Sequence, residues 1–93
     1  MINNVTQEQL TSQIEELVRA HVGSSTPIPL DADLINDLGM DSLELVELGL
    51  KLEKQFGVKF SIADIRRCVT LEDVIQLASS LLQEQSLENA ERV

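Results

Sequence analysis

Apolar residues recur along this chain at three- and four-residue steps, in separated runs, and that period belongs to helices. In the first run Leu10, Ile14, Leu17, Val18 and His21 share one helical face. Ahead of them stands Thr6-x-x-Gln9, a capping box in which two side chains satisfy orphan backbone N–H groups. Gly23-Ser24-Ser25-Thr26-Pro27 ends this helix. A second helix begins near Asp41, with Asp41-x-x-Glu44 as its capping pair. It carries one apolar stripe of Leu45, Leu48, Leu52 and Phe56 and a second, offset stripe of Leu43, Val46 and Leu50. Glu44, Glu47, Lys51 and Lys54 form a polar ridge, with Glu47 and Lys51 spaced for an i,i+4 ion pair.

Two further caps follow. Ser61-x-x-Asp64 predicts a short helix around Ile62 to Arg67, and Thr70-x-x-Asp73 a longer one from Leu71 to Leu82. Val74, Leu77, Ala78, Leu81 and Leu82 make the apolar face of the last helix. Only Val58-Lys59-Phe60 has strand character. The pattern predicts an all-α bundle of four helices, the third short, over residues 1–83, followed by a polar tail over 84–93 that frays. The connection from Gly23 to Met40 exceeds the roughly 12–15 residues usual for an unstructured loop, and such loops are often functional. Ile28, Leu30, Leu34, Ile35 and Leu38 would pin it across the bundle, and a long crossover permits a topology other than simple up-down-up-down.

Composition narrows the possible chemistry. Ninety-three residues make one small domain, with a 43% hydrophobic content that is nearly all aliphatic. The single cysteine, Cys68, has no internal disulfide partner, and it reads as a small packed apolar residue. No Cys/His cluster offers a metal site, and Asp31-x-Asp33 fails as a calcium loop because Ser42 stands where the bidentate Glu belongs. No run spans a membrane and Met1-Ile2-Asn3-Asn4 does not open a signal peptide, so the chain reads as cytoplasmic. Its polar ends favour a free-standing protein. The net charge of −9 opposes nucleic-acid binding. Between Asp31 and Glu47 lie six carboxylates, Asp31, Asp33, Asp37, Asp41, Glu44 and Glu47, and no base. Such a field suits docking of basic partners.

Within that acidic stretch Ser42 sits at a helix start. If Asp41 caps the helix, the Ser42 hydroxyl is left free, and the unpaired N–H groups of the first turn tolerate a phosphate ester beside it. Nothing nearby activates the serine: no histidine adjoins it and no elbow glycine follows it. A triad with His21 would need the fold to bring them together. A serine so placed looks like a target for another enzyme. The stripe of Leu43, Val46 and Leu50 beside it is either buried in the bundle or an acid-rimmed apolar patch that a partner reads, the second being favoured.

The segment Asp37-Leu38-Gly39-Met40-Asp41-Ser42-Leu43, with Val46-Glu47-Leu48, resembles the acyl carrier proteins of fatty acid and polyketide synthesis. Lys51-Leu52-Glu53-Lys54-Gln55-Phe56-Gly57-Val58 and Thr70-Leu71-Glu72-Asp73-Val74 extend the likeness, which covers about residues 6–82. The resemblance implies a four-helix carrier fold without catalysis of its own. It implies that a phosphopantetheinyl transferase attaches 4'-phosphopantetheine from coenzyme A to Ser42, and that acyl groups ride as thioesters on the arm. It also implies that acyl-loading and acyl-processing enzymes read Asp41, Leu43, Glu44, Val46, Glu47 and Leu50, with the carrier a monomer.

Several positions depart from the fatty-acid pattern. Gly49 lies mid-helix, where glycine costs roughly 1 kcal/mol against alanine, and its missing volume would either reshape an acyl pocket or admit a neighbouring helix. Lys51, Lys54, Arg66 and Arg67 bring positive charge where that pattern is acidic, and Phe60-Ser61 replaces Ile-Pro. These changes read as a specialised carrier. An aminoacyl or peptidyl carrier and an unmodified helical interaction module are the alternatives.

Overall fold

The computed structural model describes residues 6–91, with side-chain environments for residues 6–84. Four helices follow one another: α1 (Gln7–Val22), α2 (Ser42–Phe56), α3 (Ile62–Arg66) and α4 (Leu71–Glu91). Each predicted cap forms. Thr6 and Gln9 exchange side-chain and backbone bonds at the start of α1, and Asp41 and Glu44 do the same at α2. Ser61 accepts the Asp64 N–H, and Thr70 and Asp73 cap each other's backbone at α4. Gly23 and Gly57 close α1 and α2 in the left-handed conformation that glycine adopts without strain.

The core gathers Leu10, Ile14 and Val18 of α1 against Leu45, Leu48 and Leu52 of α2 and Leu71, Val74, Ile75 and Ala78 of α4, all buried. α1 lies along α4, and α2 packs most closely on α3. The contact between α2 and α3 passes over Gly49. A Cβ added there would stand 3.6 Å from Ile65 Cγ1, an ordinary van der Waals distance, so Ile65 of α3 packs over this position and leaves room for no more than about a methyl group. Of the two expectations for Gly49, the structure adopts the close helix contact.

The long loop is fastened differently from its leucine pattern. Ile28 and Leu34 are buried and Leu38 is half-buried, as predicted, but Leu30 and Ile35 are exposed, and Ala32 and Met40 are buried instead. Backbone bonds account for this. Asp33 and Thr70 form an isolated antiparallel bridge, in which Leu34 N–H donates to Val69 C=O (2.8 Å) and Leu71 N–H to Ala32 C=O (3.2 Å). Glu72 N–H donates to Leu30 C=O (2.9 Å). At the other end, Glu15 accepts the Ile28 N–H at 2.9 Å while pairing with Arg19 at 3.0 Å. The loop thus crosses the bundle held through its own main chain, which leaves Leu30 and Ile35 free to face outward.

Three other expectations change. Val58 and Phe60 are buried with Lys59 exposed between them, the alternation of a strand, yet no strand forms there. The Phe60 N–H goes to the Glu53 carboxylate at 2.7 Å rather than to a neighbouring strand. Glu47 and Lys51 form no ion pair among the described residues; the Lys51 ammonium lies 2.9 Å from His21 Nδ1. The final helix continues to Glu91 rather than ending at Leu82, because residues 83–91 contain no glycine or proline and many strong helix formers. Residues 92 and 93 of the expected tail, and the side chains of 85–91, lie outside the described range.

Candidate functional site

The site is built at the junction of the long loop and α2. The loop ends in a compact turn: Leu38 N–H donates to Asp33 C=O (3.0 Å), Gly39 N–H to Ile35 C=O (3.0 Å) and Met40 N–H to Leu34 C=O (3.0 Å). Gly39 takes φ 72°, a left-handed conformation in which a side chain would be strained, and this bend delivers Asp41 to the cap of α2. Met40, buried beneath it, anchors the turn to the core.

Asp33 holds the turn from inside. Its carboxylate accepts the N–H groups of Asn36 (2.8 Å) and Ile35 (2.9 Å), while Asp37 accepts the Asp33 N–H (2.8 Å). The Asn36 N–H, and after it that of Ile35, holds the Asp33 carboxyl below its ordinary value. Four of the six carboxylates of the acidic stretch, Asp33, Asp37, Asp41 and Glu44, therefore accept backbone bonds. These bonds shape the loop and the helix start. Asp31 and Glu47 are exposed.

Ser42 is the first residue of α2. Asp41 Oδ1 accepts the Glu44 N–H at 2.9 Å and Glu44 Oε1 accepts the Asp41 N–H at 3.2 Å, so this reciprocal cap is complete without the serine. The Ser42 side chain is exposed, and its hydroxyl has no hydrogen-bond partner among the described residues. Beside it Leu43 is 66% exposed, Val46 half-buried and Leu50 56% exposed, while Leu45, Leu48 and Leu52 turn inward. The two stripes of α2 thus divide, one forming core and the other a surface rimmed by Asp41, Glu44 and Glu47. All the residues singled out around Ser42 lie on this one exposed face and its rim.

A serine–histidine hydrolase is excluded by position. His21 meets α2 at Lys51, nine residues beyond Ser42, or about 13 Å along the helix axis. No group of three or more His, Cys, Asp or Glu side chains forms a metal site among the described residues. Cys68 is buried just past α3, its Sγ 3.6 Å from the Asp64 carbonyl. Burial, and then the charges of Asp73 and Asp64, push its thiol up to about 11, so it is no nucleophile near neutral pH. Among the described residues, no helix is long and apolar enough to cross a membrane.

A phosphopantetheine arm fits this start of α2. The hydroxyl is exposed and uncommitted, and the N–H groups of Ser42 and Leu43, in the first turn, have no helical acceptor, a setting that favours an ester phosphate. Comparison with known proteins agrees with that chemistry. Residues 9–78 match the family described as a phosphopantetheine attachment site. The chain is 33% identical over 81 residues to an acyl carrier protein of Coprothermobacter proteolyticus, covering 87% of this chain and 85% of that one. It is 34% identical over 71 residues to one of Thermotoga maritima (75% and 88%), and 32% identical over 88 residues to a meromycolate extension acyl carrier protein of Mycobacterium leprae (94% and 76%). Among solved structures, a Mycobacterium tuberculosis chain described as an acyl carrier protein superposes with a TM-score of 0.68 at 28% identity, covering 72% of this chain and 90% of that one.

Proposed function

This chain belongs to the acyl carrier protein family, and from that membership we propose that Ser42 is the residue that takes the 4'-phosphopantetheine arm. The chain is a carrier. When bound, the arm supplies the thiol on which acyl groups are held as thioesters. The observation that carries the assignment is the cap register of α2. Asp41 and Glu44 satisfy each other, and Ser42 is left exposed one residue later. A phosphopantetheinyl transferase acting with coenzyme A can approach this hydroxyl without unfolding a cap. The chain contributes no catalytic group of its own.

Docking follows from the face beside the serine. Leu43, Val46 and Leu50 offer apolar contact, and Asp41, Glu44 and Glu47 steer basic partners toward it. The partners are the transferase and the acyl-loading and acyl-processing enzymes of fatty acid, polyketide or related lipid biosynthesis. Encounters of this kind must be brief, and a small acid-rimmed patch favours fast association over a large dry interface. The carrier acts as a monomer in the cytoplasm. Likeness to a meromycolate extension carrier supports a long aliphatic cargo, for which each buried methylene is worth about 0.8 kcal/mol.

The test is intact mass after incubation with coenzyme A and a broad-specificity phosphopantetheinyl transferase, with Ser42→Ala alongside. One phosphopantetheine on the parent and none on the variant is the expected result. No addition to a folded parent, or equal addition to the variant, refutes the assignment.

A further inference from the structure

Positive charge on this acidic chain is concentrated. Five of its seven Lys and Arg residues, Lys51, Lys54, Lys59, Arg66 and Arg67, fall within residues 51–67, against two carboxylates, Glu53 and Asp64. Both of those carboxylates have partners. Glu53 accepts the Phe60 N–H at 2.7 Å, and Asp64 pairs with Arg67 at 3.6 Å. Lys54 and Lys59 are exposed and have no ion-pair partner among the described residues, and Lys51 contacts only the His21 ring. The three lysines rim an open groove of about 530 Å³, together with Leu50, Glu53, Gly57 and Val58. A last-turn lysine such as Lys54 complements the helix dipole, but that does not account for Lys59 beyond the helix or for the apolar lining.

We propose that this groove is a second docking surface, which takes an acidic segment of a partner enzyme with an apolar side chain over the exposed Leu50 and carboxylates on Lys51, Lys54 and Lys59. The rim is cationic and the groove apolar, so its complement is both acidic and apolar. The whole-chain charge of −9 selects a protein segment over an extended polyanion. A nucleic acid or an anionic membrane presents a broad negative field that the acidic stretch at 31–47 would repel, whereas a short acidic segment meets only the local lysines. Leu50 borders both surfaces. A partner that is basic toward Ser42 and acidic toward Lys59 is held in one orientation, since the reverse pose sets like charges together. The proposal builds on the carrier role, and its test does not depend on the arm.

Amide shifts of the 15N-labelled chain, titrated with a short synthetic glutamate–leucine peptide, test it. The expected result is movement confined to Leu50 through Lys59, weakened about tenfold or more in the Lys54→Glu/Lys59→Glu variant. A lysine–leucine peptide should move Asp41 through Glu47 instead. Movement that persists unchanged in the variant, no movement at Leu50 through Lys59, or preferential binding of these residues to phosphatidylglycerol vesicles would overturn it. Arm attachment at Ser42, followed by mass in the same variant, should be unchanged, and Ser42→Ala should still bind the acidic peptide. Failure of the arm assignment and failure of the groove are thereby separable.

Discussion

Ser42 and Ser61 stand one residue apart in helix register, and that offset separates a hydroxyl left free from one committed to a cap. Ser61 is the N-cap of α3, where its hydroxyl accepts the Asp64 N–H at 3.0 Å. Ser42 is the first residue inside α2, where Asp41 already accepts the equivalent N–H of Glu44 at 2.9 Å. Both serines are exposed and each begins a helix. Only Ser42 keeps its oxygen uncommitted, next to backbone donors that favour an added phosphate. A serine near a helix start is therefore informative only once the capping residue has been identified.

The largest expected effect comes from exchanging the two serines' fates. Ser42→Ala should abolish arm attachment with little change in stability, whereas Ser61→Ala should leave attachment intact and cost about 1 kcal/mol by loss of a cap. Mass spectrometry and urea denaturation read the two quantities separately. A Ser61→Ala variant that loses the arm, or a Ser42→Ala variant that unfolds, would break the contrast.

The contact joining the two helices gives the next effect. Gly49→Leu should drive α2 and α3 apart and destabilise by about 1–3 kcal/mol through overpacking. Gly49→Ala should instead stabilise by up to about 1 kcal/mol, since its Cβ meets Ile65 at an ordinary 3.6 Å and helix propensity improves. Thermal melts of both variants decide this. A stabilised leucine variant would mean that the gap between the helices is larger than the structure places it.

A third helix start sharpens the comparison through pH. Asp73 accepts the N–H groups of Val69 (2.9 Å) and Thr70 (3.1 Å), and these, Val69 foremost, hold its carboxyl below the ordinary 3.8. Its ionised form is favoured in the fold, so the unfolded chain binds more protons as the pH falls. The stabilisation is complete above the ordinary value and is lost as the pH drops through the lower, folded one. Denaturant midpoints followed from about pH 5 downward should therefore fall, and Asp73→Asn should flatten that fall. An unchanged slope in the variant would remove Asp73 from the account.

The smallest effect concerns the buried thiol. With its thiol raised to about 11, Cys68 should resist alkylation near pH 8 in the folded chain and react readily in urea. Fast labelling of the folded protein would contradict its burial.

Caps and helical periods are legible in the sequence because they are local. A capping bond spans three residues and an apolar stripe repeats every three or four, so Thr6, Asp41, Ser61 and Thr70 mark their helices from sequence alone. The special position of Ser42 is legible for the same reason, since it follows from Asp41 and Glu44 as neighbours. Much of the loop is not. Leu30 and Ile35 look as apolar as Leu34, but which of them turn inward depends on the bridge between Asp33 and Thr70, residues far apart in the chain. Lys51 is likewise spaced for Glu47, yet its ammonium meets His21 of α1.

The basic groove shows the same division. Its lysines can be counted in the sequence, but their freedom depends on Glu53 turning its carboxylate to the Phe60 N–H. The sequence by itself determined where the helices begin, their caps, the charge asymmetry and the free serine at the start of α2, because each rests on groups within a few residues of one another. Tertiary structure alone decided the burial of Gly49 against Ile65, the path of the long loop and the partners of its charges, because those depend on which faces meet when distant segments compete for the same core.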